Sequence, residues 1–379
     1  MKKKSLNWLS GLLFVVVIVA ACMLIKQKQE QQLLAEENAA LETQLEAQSV
    51  TIDEYEELIA MYEDEGNGIK AHGALHVENG KLVDENGDSL QLRGFSSHGI
   101  TWYPRYINAG AMQTIKDYGA NVFRVAMYSG QEQGYILEPE KSADFAYIAV
   151  ENILAEDMYA IIDWHVLRDE NPLLYVEEAK AFFGEFSSHY GNQPGIVYEI
   201  CNEPNGNTTW QDIVTYANEI IPIIRSNAPD AVIIVGTPNY STDLQSALEN
   251  PLPYDNIMYA YHTYIDVSTP GEYSSNTLET ALDMQFPVFV SEWGITYKNL
   301  WQSESDDTDL ARIEGEVYEQ RVEEFLALLK EYGIGWCNWS LSNKDEIYSA
   351  IRPECNKLSG WTEEDMTVSG KIVFEALQD

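Results

Sequence analysis

The sequence predicts a (β/α)8 barrel on three observations. Eight short apolar runs recur along residues 68 to 379, helical stretches fall between them, and every run but the fifth ends in polar or aromatic side chains. Parallel strands need a crossover long enough to hold a helix, so strict alternation calls for a parallel sheet. Eight repeats close that sheet into a barrel, whose functional groups sit at the carboxyl ends of the strands.

In order, the strand runs are Leu90 to Ser97, Asn121 to Tyr128, Tyr159 to His165, Ile196 to Asn202, Ala231 to Val235, Ile257 to His262, Val288 to Glu292 and Gly335 to Trp339. Helical stretches between them include Ala179 to Tyr190, Trp210 to Ser226 and Gly315 to Tyr332. Val368 to Leu377 is the closing helix, after which no second module is expected. Ahead of the first run, His76 to Leu90 carries Asn79-Gly80 between alternating apolar residues. That is a hairpin signal, and it predicts a plug for the barrel's amino-terminal face.

Residues 1 to 67 read differently. Met1-Lys-Lys-Lys4 precedes an apolar run from Leu6 to Ile25, about 30 Å of helix at 1.5 Å per residue, enough to cross a bilayer. The lysines place the amino terminus in the cytoplasm, so residues 1 to 25 are expected to act as a signal anchor, with the rest of the chain outside. Val19-Ala-Ala-Cys22 also fits a lipoprotein box that would leave a lipidated Cys22, whereas Met23-Leu-Ile25 continues the apolar run and favours the anchor. Residues 26 to 67, rich in Gln, Glu, Ala and Leu, predict a helical stalk. Leu34, Leu41, Gln48, Tyr55 and Tyr62 recur every seven residues, as do Asn38, Leu45, Ile52 and Ile59. The heptads suit a coiled-coil homodimer, and equally a single helix that is solvated or packed on the catalytic domain.

A hydrophobic content of 45% with 11% aromatic residues is ample for the large core of residues 68 to 379. The formal net charge of −38, from 61 acidic against 23 basic residues, argues against a nucleic-acid partner and suits a neutral substrate. Cys22, Cys201, Cys337 and Cys355 make no disulfide framework, although a Cys337–Cys355 bridge stays open. No spacing among the cysteines and six histidines resembles a zinc site, and no acidic stretch has calcium-loop spacing. Cys201, directly before Asn202-Glu203, reads as a buried core residue because strand alternation turns it away from the face that presents Glu203.

The strand ends carry the chemistry. His98, Arg124, Tyr128, His165, Asn202, Glu203, His262, Tyr264, Glu292 and Trp339 all fall at or just past them. Singly each admits a structural reading; jointly they define one cleft. Two carboxylates, Glu203 and Glu292, are what glycoside hydrolysis needs: one protonates the leaving oxygen, and the other attacks the anomeric carbon or activates a water. In a retaining reaction one carboxylate stays ionised and its neighbour protonated, which mutual repulsion promotes. Arg124 supplies positive charge, and Tyr264 a donor, to whichever stays anionic. No metal or cofactor is required.

Asn202-Glu203-Pro204 with Asn205-Gly206, and Ser291-Glu292-Trp293-Gly294, resemble the acid/base and nucleophile motifs of family 5 glycoside hydrolases, the cellulase family of clan A. Arg93 to Gly99, Asn121 to Tyr128, Ile161 to His165, Tyr261 to Tyr264 and Trp339 to Glu346 match in the same order, over about residues 68 to 379, closest to the bacterial endoglucanase branch. The resemblance implies a retaining endo-β-1,4-glucanase with Glu292 as nucleophile and Glu203 as acid/base. It implies that Asn202 binds the sugar 2-hydroxyl, that His165 and His262 orient hydroxyls and carboxylates, and that Trp339 stacks beneath the sugar being cleaved. His98, Trp102, Tyr128, Trp210, Lys344 and Glu346 match positions lining neighbouring subsites. The loop from Ile295 to Ile313, with Trp301, departs from the pattern. A mannanase, xylanase or mixed-linkage glucanase on the same scaffold, and a stalked glycan-binding protein without activity, are the competing readings.

Overall fold

The structure is a computed structural model that describes residues 66–298 apart from Asn192, residues 316–378, and isolated helical positions between Met23 and Leu41. The apolar run as far as Cys22, most heptad positions and the loop containing Trp301 lie outside the described residues. Among the described residues no helix is long and apolar enough to cross a membrane. The chain divides into a unit of residues 1–64 and a compact unit of Glu65–Asp379. The contacts of the second begin slightly ahead of the residue 68 boundary read from sequence. Asn67 Nδ2 donates to the Gly119 carbonyl at 3.1 Å, and Asn121 Nδ2 donates to Asn67 Oδ1 at 2.8 Å.

A two-stranded hairpin opens this unit, β1 (His76–Glu78) pairing antiparallel with β2 (Lys81–Val83). Its turn residues Asn79 and Gly80 have φ of 52° and 76°, the left-handed pair that a two-residue hairpin loop requires. Eight parallel strands follow: β3 (Arg93–Ser97), β4 (Val122–Tyr128), β5 (Tyr159–His165), β6 (Ile196–Glu199), β7 (Ile233–Val235), β8 (Ile257–Asp266), β9 (Val288–Thr296) and β10 (Trp336–Leu341). They close in sequence order, with Trp336 of β10 registered on Arg93 of β3 and on Val290 of β9. The (β/α)8 barrel expected from alternation is what the chain forms.

Apolar packing separates into distinct regions. Between strands and helices lies the larger core, to which Trp210–Asn227 contributes Ile213, Tyr216, Ile220 and Ile224 at helical spacing after a Thr209–Asp212 capping box. Inside the barrel a second cluster joins Leu75, Leu82, Leu90 and Leu92 to Val122, Tyr159, Val197, Ile234, Met258 and Phe289. The hairpin and its flanks therefore seal one end of the barrel, as the Asn-Gly signal predicted. Cys201 belongs to the outer core, and burial pushes its thiol pKa up. Cys337 lies in the interior cluster and Cys355 in the outer one; both are free, so the Cys337–Cys355 bridge does not form.

Candidate active site

Above the sealed end, the barrel interior turns polar around one side chain. Arg124, from the middle of β4, is fully buried and contacts three carboxylates. Its Nε donates to Glu199 Oε2 at 2.6 Å, Nη2 lies 3.0 Å from Asp163 Oδ2, and Nη1 lies 3.3 Å from Glu292 Oε2. Nη2 also donates to Asn202 Oδ1 at 2.7 Å. Register explains the convergence: Asp163 of β5 sits directly beside Glu199 of β6, and His262 of β8 beside Glu292 of β9. A buried guanidinium is tolerated only when its donors are matched by acceptors, and these acids supply them.

Glu203 and Glu292 face one another at the carboxyl end. One oxygen of each, together with a ring nitrogen of His262, lies within 4.8 Å of the others. Tyr264 donates its hydroxyl to Glu292 Oε1 at 2.7 Å, while Glu203 Oε1 meets His262 Nδ1 at 2.9 Å. The two acids are thus held differently. Glu292 has a cation on one oxygen and a phenol donor on the other; Glu203 has an imidazole nitrogen. These three residues are also the one group among the described residues spaced to share a metal ion, and each is already committed to a protein hydrogen bond.

Burial raises both catalytic candidates. Glu203 is pushed up to about 8, with the charges of Asp163 and Glu199 adding to desolvation against Arg124. Glu292 rises to about 7 through burial and the Glu203 charge, and His262, Arg124 and the Tyr264 hydrogen bond pull it back. Glu292, with Arg124 and the Tyr264 hydroxyl on its oxygens, is the better placed of the two to hold a charge, which is the division that a proton donor beside an ionised neighbour needs. Burial pushes His262 down to about 4, leaving a neutral imidazole.

An aromatic rim surrounds the pair. Trp102 lies 4.5 Å from Tyr128, Tyr128 lies 4.1 Å from His165, His165 stacks on Trp339 at 5.2 Å, and His98 lies 5.0 Å from Trp339, all between ring centroids. Gly99 and Gly294 leave room for this rim. A Cβ on Gly99 would fall 2.6 Å from the Trp102 ring, and one on Gly294 would fall 2.9 Å from Tyr264. Lys344 and Glu346 join through a 2.6 Å ion pair whose ammonium lies 3.2 Å from His98 Nε2.

Sequence reading placed Trp210 in this group, and the structure does not. Its ring is buried in the outer core against Tyr259, with the indole N–H donated to the Asn250 carbonyl at 2.9 Å. The reason is helical phase: Trp210 stands three residues before Ile213 on the face that packs inward. Residues that sequence reading missed include Asp163 and Glu199, which hold Arg124, and Ser291, whose hydroxyl donates to Glu199 Oε1 at 2.7 Å. Tyr103, 4.8 Å from His98, and Tyr348, 5.0 Å from Tyr264, extend the aromatic set. Tyr240 is half-exposed on a left-handed turn (φ 60°), and its backbone N–H donates at 3.0 Å to the carbonyl of Pro204, the residue after Glu203.

A parallel (β/α)8 barrel with two carboxyls this close at its carboxyl face is the arrangement of a retaining glycoside hydrolase. The chain belongs to the cellulase family, glycosyl hydrolase family 5, whose model matches residues 83–345. It is 43% identical over 314 residues to endoglucanase A of Butyrivibrio fibrisolvens, covering 82% of this chain and 70% of the relative. To endoglucanase 5 of Pectobacterium carotovorum it is 41% identical over 82% of this chain and 58% of that protein. The chain therefore spans between about three-fifths and seven-tenths of these relatives. The catalytic domain of a Thermobifida fusca endoglucanase, solved with cellotetraose, superposes with a TM-score of 0.73 at 30% identity, covering 83% of this chain and all of that domain.

Proposed function

We propose that this chain is a retaining endo-β-1,4-glucanase acting on internal bonds of cellulose and related β-glucans. The observation that carries the reading is the Glu203–Glu292 pair, whose facing groups lie within 4.8 Å. Retaining enzymes hold their carboxyls about 5–5.5 Å apart, whereas inverting ones need about 6.5–9.5 Å to seat a water between them. Glu292 is the nucleophile: Arg124 and Tyr264 neutralise and orient its two oxygens. Glu203 is the acid, then the base. It gives its proton to the glycosidic oxygen as Glu292 attacks the anomeric carbon, and it later takes a proton from the water that releases the glycosyl group.

Asn202 faces Arg124 with its carbonyl oxygen and spends its amide hydrogens on the Val166 carbonyl at 3.0 Å and on His165 Nε2 at 3.3 Å. A sugar 2-hydroxyl displaces the longer of these contacts, so Asn202 binds sugar at the expense of His165. Trp339 carries the sugar being cleaved on its flat face, and Trp102, Tyr128 and the His98–Lys344–Glu346 group serve the adjoining sugar. The endoglucanase names of the two relatives and the cellotetraose bound to the Thermobifida domain support glucan over mannan or xylan.

Residues 1 to 25 hold the enzyme to the membrane with its catalytic domain outside, on a stalk of residues 26 to 67; the three lysines ahead of the apolar run support that orientation. Release of reducing ends from carboxymethyl cellulose, with the first-formed anomer followed by NMR, tests the activity. The expected product is the β-anomer from glucan. Faster cleavage of mannan or xylan would reassign the substrate, an α-anomer would remove the nucleophile, and glycan binding with no release would leave a lectin. Membrane fractionation and mass spectrometry of the mature amino terminus test the tether.

A further inference from the structure

We propose that Ser291 and Glu199 are positioning residues that fix the tautomer of His262 and thereby keep a proton on Glu203 at the start of each turnover. The proposal rests on Glu203 being the acid/base. Hydrogen-bond accounting carries it. Arg124 donates to both oxygens of Glu199, from Nε at 2.6 Å and from Nη2 at 3.2 Å, so both act as acceptors. Ser291 spends its single hydroxyl hydrogen on Glu199 Oε1 at 2.7 Å. Its oxygen, 3.0 Å from His262 Nε2, can then only accept. Nε2 must carry a hydrogen, and a neutral imidazole has one. Nδ1 is therefore a bare lone pair, and Glu203 Oε1 at 2.9 Å must be the donor, which requires a protonated carboxyl.

The same arrangement serves the second half of the reaction. Once Glu203 has given its proton to the leaving oxygen, its carboxylate faces a nitrogen lone pair where an N–H would have stabilised it. It is a stronger base toward water for that reason. Running the chain in the opposite sense would put N–H on Nδ1, stabilise the carboxylate, and weaken Glu203 in both roles. Ser291 and Glu199 are themselves fully buried beneath the reacting groups. The other charges acting on the His262–Glu203 pair come from Arg124 on β4, Asp163 on β5 and Glu292 on β9, and a change at Ser291 leaves all of them in place.

The test uses the full chain carrying Ser291→Ala, Ser291→Thr or Glu199→Gln, reading kcat/KM on a cello-oligosaccharide against pH and the His262 tautomer by 15N NMR of histidine-labelled protein. Wild type should show hydrogen on Nε2. Ser291→Ala should mix the tautomers and move the basic limb down by about one pH unit, and Ser291→Thr, which keeps the hydroxyl, should restore both. Glu199→Gln should turn the chain around, because the amide donates to Ser291 and the hydroxyl then donates to Nε2, so hydrogen appears on Nδ1. An unmoved limb and tautomer in Ser291→Ala, with only a lower melting temperature, would reduce Ser291 to packing and overturn the proposal. Failure of wild type to cleave β-1,4-glucan would instead sink the glucanase reading, and the NMR comparison would still decide the tautomer.

Discussion

The ring of Trp339 lies nearly parallel to that of His165, their planes inclined by 16° and their centroids 5.2 Å apart. Trp339 is thus packed on one side by a residue that also contacts Asn202, while 6% of its surface stays exposed. Removing the indole takes away the proposed sugar platform and frees His165 together. Trp339→Ala should lower kcat on the order of 10²-fold, the cost of misplacing a reacting sugar by about 1 Å. Near-wild-type kcat alongside a lower melting temperature would make the residue core packing.

The two glutamates should fail in different ways. Glu292→Gln cannot form the glycosyl intermediate and should be inactive on every substrate. Glu203→Gln should lose about 10²–10⁴-fold on glucan but still release phenol from an activated aryl cellobioside as a burst. Azide, which needs no deprotonation, should then relieve the stall. Equal losses with no burst and no azide rescue would reverse the assignment.

Glu203 also makes stability depend on pH. Its folded value of about 8 stands above its ordinary 4.5, so it is protonated in both states near pH 4 and adds no penalty there. As pH rises the unfolded chain ionises first, the folded state loses stability through that window, and the loss levels off above about 8. Glutamine escapes this. Glu203→Gln should match wild type near pH 4 and melt at a higher temperature at pH 8; equal melting temperatures at both pH values would show that burial does not penalise this carboxylate.

Arg124 is shared by Asp163, Glu199 and Glu292, so Arg124→Met strands three buried acids. Removing one partner of a buried pair typically costs about 3–5 kcal/mol, and here the melting temperature should fall and activity vanish. Arg124→Lys should not rescue it, since one ammonium cannot copy the fork that holds Glu199. Activity retained in either variant would show that the network is dispensable.

A chain beginning at Glu65 should be soluble and active, because the contacts of the catalytic unit start at Gly66 and Asn67. Removing Asn67 as well should lower the melting temperature, since its side chain bonds Gly119 and Asn121. An inactive Glu65 start would assign residues 1–64 to the fold.

The fold was legible because each barrel strand is an apolar run and each turn of the alternation repeats one rule. Strand-end residues were legible for the same reason: a carboxylate or histidine just past an apolar run needs a cleft to face. Asp163 and Glu199 were not. They sit inside Ile161-Ile-Asp-Trp-His165 and Val197-Tyr-Glu-Ile200, where an acid looks like an intrusion until barrel closure points both at Arg124. Ser291 is small enough to pass for core. Trp210 shows the converse error, an aromatic read as a sugar contact although its spacing to Ile213 and Ala217 marks the buried face of a helix. Tyr240 depends on three consecutive left-handed residues, Asn239 to Ser241, which no composition rule predicts.

The hairpin that closes the barrel floor has a consequence for the reaction's protons. Leu75, Leu82, Leu90 and Leu92 fill the sealed end with hydrocarbon, on the side away from the catalytic acids. Protons and water then come and go at the opposite, carboxyl face, where Glu203 and Glu292 stand. Of Asp163, Glu199, Glu203 and Glu292, Glu203 is the most exposed, its side chain at 12% against 6% for Glu292 and 0% for the other two, so it is the acid best placed to trade protons with arriving water in each half of the reaction.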